Sequence, residues 1–462
     1  MCQAAQPGAS LLRLADSETL RTSDDKMQET RPARLAGTAA IVACGFLGLL
    51  AVATPAPLQA QTVPSPLPLA WCLERAQTAN PQLAAEVAAS RAAAARVEQA
   101  GALDDPRIAY EASNIPVGDF DFRSTPLSGH QLGIRQKLPF PGLLTNRREG
   151  ARAAAEATAL TVEDRTLLTD AAVESAWAEL GFAQRALDIT DRNIELLRQL
   201  SSIAETKYRV GTGLQQDVLR AQVELTVLLE ERLRREASIE SAGAHLIALL
   251  DMPPEIDLPR TGLLEDPARL PALEPLLSEL EQRSPRLRAL SQRVEQARRL
   301  VRVAELEGYP DFDLGLGYRV RKRVSGDPVA GDDFLGAGVT IRVPLFRAKW
   351  RARVVERKAL LRRQEANHRG ARAQIAARIR STFAALVRAN SAAALLSTGL
   401  VPQAEQSLQS SRSGYEVGRI DFPSLLDSQV RLLNAELRRV RAIADRRRAF
   451  SALEAASGEK LR

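Results

Sequence analysis

Cysteine, histidine, methionine and aromatic residues are all scarce in this chain of 462 residues. Three cysteines, Cys2, Cys44 and Cys72, rule out a disulfide-stapled scaffold. Three histidines, His130, His245 and His368, lie far apart, and three methionines add no soft-metal cluster. No metal site or bound cofactor is therefore expected. No glycine-rich phosphate loop or nucleophile constellation appears either, so an enzyme is not expected, and a nucleotide-driven machine is excluded with it. Aromatics make up 4% of residues. That leaves no stacking platform beside the net charge of +7, and no nucleic-acid partner is expected. Arginines such as Arg431, Arg438, Arg439, Arg446, Arg447 and Arg448 read as a solvated helix face. Abundant alanine and leucine instead suit long helices with small side chains at their contacts.

The first 60 residues read as a leader. Arg31 and Arg34 precede an apolar stretch from Leu35 to Ala53, followed by Pro55, Pro57 and the small residue Ala60. This is the layout of a secretory signal with cleavage near Ala60–Gln61, and Met27 fits as its true start. The apolar stretch is long enough to span a bilayer, but its Ala/Gly content and cleavage-like end favour removal. Ile41-Val42-Ala43-Cys44 also has a lipoprotein-like form that would acylate Cys44. The apolar run continues through Gly45-Phe46-Leu47 and speaks against it.

The rest of the chain says one thing twice. Tyr208-Arg209-Val210-Gly211 recurs as Tyr415-Glu416-Val417-Gly418, 207 positions later. Asn80-Pro81 is answered by Ser284-Pro285, Pro106 by Pro310, and Leu138-Pro139 by Val343-Pro344, at offsets of 204 or 205. A near-constant offset means a tandem duplication. The expected organisation is a leader over 1–60, a first structural repeat over 61–270 and a second over 271–462.

Each repeat reads as helix, two strands, a very long helix, a tight turn and a second long helix. The strands alternate with period two. Ile108, Tyr110 and Ala112 share a face, as do Phe312, Leu314, Leu316, Tyr318 and Val320, and Leu335, Ala337, Val339, Ile341 and Val343. Glycine and polar residues take the opposite face. About ten residues per strand is the length that crosses a bilayer at a tilt. A soluble sheet with one buried face gives the same alternation, but nothing apolar in the chain is available to cover it. Four strands cannot close a barrel, and open edges are not tolerated in lipid. Several chains must then contribute to one barrel.

No proline interrupts Leu144 to Tyr208, and only Pro402 falls within Ala348 to Tyr415, where it should kink the rod. Val173, Leu180, Leu187 and Ile194 fall seven apart, a coiled-coil-like stripe. No other helix in the mature chain is expected to cross a membrane. The Tyr-x-Val-Gly turns end the long helices at Gly211 and Gly418, and Thr212-Gly213-Leu214-Gln215 has the form of a capping box. Asp217, Asp421 and Asp427 read either as caps or as a charged ring at a pore mouth. Tyr208 and Tyr415 read either as packing residues or as a plug.

These paired tips, the duplication and the strand pairs ending at Pro139 and Pro344 resemble the TolC-like family of outer-membrane efflux proteins, over about Leu67 to Gly458. The resemblance implies a mainly α protein with a small transmembrane β part: a homotrimer whose four strands per chain make a twelve-stranded barrel in outer-membrane lipid. Its long α-hairpins would form a helical barrel in the periplasm. The implied function is a passive exit duct, docked through a periplasmic adaptor on an inner-membrane pump of the proton-driven RND type. By position, Asp217 and Tyr415 match residues that hold such channels closed. The arginine expected five residues after the second tip tyrosine is Ile420 here, and the matching acid in the second copy is Ser424. Arg419, Asp421 and Asp427 are the substitute candidates. Asn114-Ile115-Pro116-Val117-Gly118 and Leu138-Pro139-Phe140-Pro141-Gly142-Leu143 look most like the branch paired with heavy-metal efflux pumps. The rival reading is a secreted coiled-coil or adhesin-like protein, which leaves the matched strand pairs unexplained.

Overall fold

A computed structural model describes residues 63–118, 120–121, 125–262 and 270–461, all within the compact unit Thr62–Arg462. The leader, Met27, the cleavage position and Cys44 lie outside the described residues. In chain order the elements are α1 (Leu69–Ala79), α2 (Pro81–Gly101), β1 (Arg107–Ser113), β2 (Gly129–Leu138), α3 (Leu143–Arg209) and α4 (Gln215–Leu249). There follow the short α5 (Leu273–Ser278) and α6 (Leu280–Arg283), then α7 (Pro285–Leu306), β3 (Asp311–Val320) and β4 (Phe334–Arg342). The chain ends with α8 (Arg347–Leu395), a π-turn (Leu396–Leu400), α9 (Val401–Glu416) and α10 (Phe422–Ser457).

The echoed dipeptides have one local cause. Asn80 caps α2 by accepting from the Gln82 and Leu83 amides at 3.0 and 3.1 Å. Ser284 caps α7 by accepting from the Leu287 amide at 3.4 Å. The proline behind each cap occupies the first turn, where its missing N–H is no loss.

α3 runs 67 residues unbroken, about 100 Å at 1.5 Å per residue. Most of its predicted stripe is buried: Val173, Trp177, Leu180, Ile194 and Leu197 are at most 3% exposed, while Leu187 is half-buried. It is flanked by α2, α4, α7 and α10. The second rod, Arg347–Glu416, changes its winding next to Pro402 and runs on as helix past it. The π-turn lies immediately before that proline, and its wider winding absorbs the lost hydrogen bond. By length and composition this rod is also the one helix among the described residues apolar enough to cross a bilayer, an exception to the expectation above. The length that satisfies the criterion comes from one hairpin arm running on through the π-turn, and 22% of the apolar window is buried within the chain.

The strands form one antiparallel sheet in the order β1-β2-β3-β4. β2, β3 and β4 have the expected length, but β1 has only seven residues. Asn114, at φ +56°, ends it, and Ser128 Oγ donates to the Asn114 carbonyl at 2.6 Å, closing the loop early. The apolar face has no cover: Ile108, Leu335 and Val339 are 74%, 71% and 62% exposed. Twelve large residues on it (Ile108, Tyr110, Leu132, Ile134, Leu314, Leu316, Tyr318, Val320, Leu335, Val339, Ile341 and Val343) are exposed. At roughly 1 kcal/mol apiece for half-exposed side chains, the unrealised burial is on the order of 10 kcal/mol. That rivals the whole stability of an ordinary domain. Such a face is built to meet something apolar. Aromatic residues sit at its ends, Tyr110 and Tyr318 on one side and Phe140 stacked on Tyr309 at 4.6 Å on the other, as in interfacial girdles.

Candidate functional site: hairpin tips and the polar face of the sheet

The two tips are the same structure made twice. At the first, Arg209 is the last helical residue, Val210 caps the helix and Gly211 turns left-handed at φ +76°. The Thr212 amide then donates to the Lys207 carbonyl at 2.8 Å, and the Gly211 amide to the Tyr208 carbonyl at 3.0 Å. At the second, Gly418 has the same φ, +76°. The Arg419 amide donates to the Gly414 carbonyl at 2.8 Å and the Gly418 amide to the Tyr415 carbonyl at 3.1 Å. Both are complete Schellman motifs. The repeated glycine is thus a backbone requirement of the turn.

The restart of the chain differs from expectation at the first tip. Thr212 does not cap α4: its hydroxyl donates backwards to the Lys207 carbonyl at 3.2 Å. α4 begins at Gln215 behind Leu214, with no side-chain cap. The Schellman turn places Thr212 too early, so the capping-box spacing is coincidental. At the second tip Asp421 caps α10, accepting from the Ser424 amide at 3.1 Å, with Pro423 in the first turn.

Both tips share one core of Leu200, Ala204, Ala221, Leu408, Tyr415, Phe422 and Leu425. Tyr415 is 5% exposed and meets Phe422 edge-on at 5.5 Å. Among the described residues its hydroxyl has no hydrogen-bond partner. Asp217 is 9% exposed. Burial raises its carboxyl above the ordinary range, against the Leu214 backbone and Arg220; Asp421 pushes it further up. Burial, then the charge of Asp217, raises the Tyr415 phenol in turn. The structure therefore brings Asp217, Asp421 and Tyr415 together. Asp427 instead pairs with Arg431 on the exposed face of α10 at 2.7 Å. Arg419 and Tyr208 are exposed. Ile420, where the resemblance expects arginine, packs against Gly414 and joins the core.

Lys207 is a tip residue that the sequence did not single out. Its ammonium donates to the Tyr415 carbonyl at 2.5 Å and the Glu416 carbonyl at 3.2 Å, and stands 4.5 Å from the Tyr415 ring centre. A cation at the carbonyl end of α9 is electrostatically favoured, and this one ties the first tip to the second. A lysine in the last turn of a helix is too ordinary to be noticed without the fold.

A second group sits elsewhere than expected. Arg447 is not on a solvated face: it is 9% exposed, with Nε 3.2 Å from fully buried Glu174. Lys460 reaches Asp170 at 2.9 Å and Glu174 at 3.6 Å, and Gln77 donates to Asp170 at 2.9 Å. These bonds fasten the end of the chain and α1 onto α3. Cys72 lies in the adjoining core, where burial pushes its thiol up to about 12, leaving it inert at neutral pH.

The polar face of the sheet is ordered in rows by the register. Near the end farthest from the helices, one row in from Ser113 and Gly129, Glu111 lies in one row with Gln131, Arg319 and Phe334. The next row is Ala109, Gly133, Gly317 and Gly336. Then come Arg107, Arg135, Gly315 and Gly338. Below these lie Lys137, Asp313 and Thr340, and finally Asp311 opposite Arg342, bonded at 2.7 Å.

A model of the outer membrane efflux protein family, abbreviated OEP, matches residues 72–251 and 276–459. The chain belongs to the outer membrane efflux protein family. This efflux protein is 30% identical to protein CyaE of Bordetella pertussis over 316 residues, 66% of this chain and 64% of CyaE, so the match spans just under two thirds of that relative. It is 28% identical to the cobalt-zinc-cadmium resistance protein CzcC of Cupriavidus metallidurans over 301 residues, 63% of this chain and 68% of CzcC. Its fold is that of the outer-membrane channel OprN, with a TM-score of 0.72 at 22% identity over 85% of this chain and 90% of OprN. The family places the efflux protein in the bacterial outer membrane, and solved structures that share its fold include outer-membrane channels.

Proposed function

We propose that this chain is the exit duct of a tripartite efflux system: a homotrimer whose sheets join edge to edge as a twelve-stranded barrel and whose rods form a periplasmic helical barrel. The observation that carries the reading is a four-stranded sheet with an uncovered apolar face and two unpaired edges, β1 and β4. In lipid each unpaired backbone group costs several kcal/mol, about what burying it without a partner costs. Closure with further copies satisfies those groups and leaves the apolar face to the bilayer. The two structural repeats, 61–270 and 271–462, each supply half the sheet and one α-hairpin. The duct supplies a path and no energy. Drive comes from an inner-membrane pump, of the proton-driven RND type, reached through an adaptor at the hairpin tips. There Asp217, Tyr415 and Asp421, with Lys207 bracing the pair of hairpins, are the residues assigned to holding the duct closed. Arg419 and Asp427, exposed near the same tips, are the charged groups available to a docking partner.

Similarity to CzcC favours heavy-metal ions as one cargo class. The first test is native mass spectrometry of the detergent-purified protein. A three-subunit mass is expected; a water-soluble monomer stable without detergent would overturn the reading.

A further inference from the structure

Within the barrel just proposed, on which this step rests, we infer that the lumen selects anions and that Arg107 and Arg135 form the selecting ring. Charge on the polar face is balanced row by row, with one exception. Glu111 shares its row with Arg319, which also bonds the Ser113 hydroxyl. Asp313 faces Lys137, and Asp311 faces Arg342. Lys137 also stands 3.8 Å from Asp104 and 3.9 Å from Asp311. The row of Arg107, Arg135, Gly315 and Gly338 has two cations and no acid.

Neither arginine has an ion-pair or hydrogen-bond partner among the described residues, and both are exposed. Asp105, two positions before Arg107, does not pair with it. Like charges directly across an antiparallel pair are destabilising, so sheet formation does not explain this juxtaposition. The glycines do not fill the row either. A side chain at Gly315 would meet Arg135 Cγ at 3.5 Å, so Arg135 lies across β3 in the space this glycine leaves. At Gly338 nothing stands within 4 Å. The next row outward holds only alanine and glycine, and the side chain that reaches over its Gly317 is the uncharged amide of Gln131, so no acid there neutralises the guanidinium groups.

Three copies around an axis would bring six guanidinium groups to one level of a water-filled lumen. Rings of arginine or lysine are the device by which pores favour anions, and low-dielectric walls strengthen the effect. The chemical class this duct would favour is therefore organic or inorganic anions, including metal ions carried as anionic complexes. A bare divalent cation would be repelled at this level. Arg107 and Arg135 recognise charge, not shape; both are specificity residues of the lumen.

The test is the zero-current voltage of single trimers in planar bilayers across a potassium chloride gradient, for wild type, Arg107→Gln with Arg135→Gln, and Arg107→Glu with Arg135→Glu. Wild type is expected to pass chloride in preference to potassium, the glutamines to bring the ratio near unity, and the glutamates to reverse its sign. The glutamine pair serves if the glutamates fail to assemble. A wild-type channel that favours potassium, or a zero-current voltage unmoved by both pairs in channels that still conduct, overturns the anion ring. Absence of any conducting trimer from wild type and from the Asp217→Ala, Tyr415→Ala variant alike would instead overturn the duct reading beneath it.

Discussion

Alanine at Gly211 or Gly418 should loosen the hairpin tips by an amount the backbone alone sets. Both glycines sit at φ +76° with nothing within 4 Å of a would-be Cβ. A side chain therefore fits, and the penalty is only the left-handed conformation, about 1–2 kcal/mol. Part of it is recovered because alanine restricts the unfolded turn more than glycine, leaving about 1 kcal/mol net. Gly458, at φ +87°, is the contrast. A Cβ there would stand 2.7 Å from Pro285 Cδ and 2.8 Å from Ser284 Cα, so alanine must displace backbone as well. The assay is hydrogen exchange with mass spectrometry on peptides spanning the tips, whose Thr212 and Arg419 amides close the two turns. About 1 kcal/mol corresponds to roughly fivefold faster exchange there, confined to the substituted tip. Asparagine, which tolerates the left-handed region better, should recover most of the loss. Equal effects of alanine and asparagine, or a Gly211→Ala change as large as Gly458→Ala, would refute the separation of strain from clash.

Asp217→Ala combined with Tyr415→Ala should raise single-channel conductance in planar bilayers; unchanged conductance would remove these residues from gating. The same tip should respond to acid in two opposed steps. Burial raises Asp217, so its charge is a burden at neutral pH that protonation lifts as pH falls through that raised value. The Ser424 hydroxyl and amide depress Asp421, so its cap is intact above about pH 4 and lost as pH falls through the depressed value. Exchange at the tips, corrected for intrinsic rate, should slow first and then quicken, and Asp217→Asn should abolish the first step only. Lys207→Met should quicken exchange at both tips, because it removes the bonds to the Tyr415 and Glu416 carbonyls. A charge-assisted hydrogen bond contributes about 1.5–3 kcal/mol; a change at the first tip alone would disprove the bracing role. Glu174→Ala should destabilise by about 3 kcal/mol or more in chemical denaturation, because it leaves Arg447 buried without its carboxylate. A loss below about 1 kcal/mol, the scale of an exposed pair, would show that water reaches the site.

The sequence by itself determined the main strands and long helices and their order, though not the short helices α1, α5 and α6 or the early end of β1. Helix stops, the change of winding at a proline and period-two strands are local physics, written in residues such as Gly211, Gly418, Pro402, Tyr318 and Leu335. It also raised the expectation of more than one chain, because four strands leave edges that lipid forbids. Tertiary structure decided which distant residues meet. The resemblance had already singled out Tyr415 and Asp217, 198 positions apart, yet only folding shows that they lie within reach of each other's charge. Lys207 is unremarkable until its helix end lies beside the Tyr415 carbonyl. Arg447 looked solvated because helical periodicity shows which residues share a face, not which neighbour covers it. Register decided the rows of the polar face: Arg107 and Arg135 become opposed cations only when β1 and β2 pair as they do, and a slip of one residue would send each arginine to the other side of the sheet.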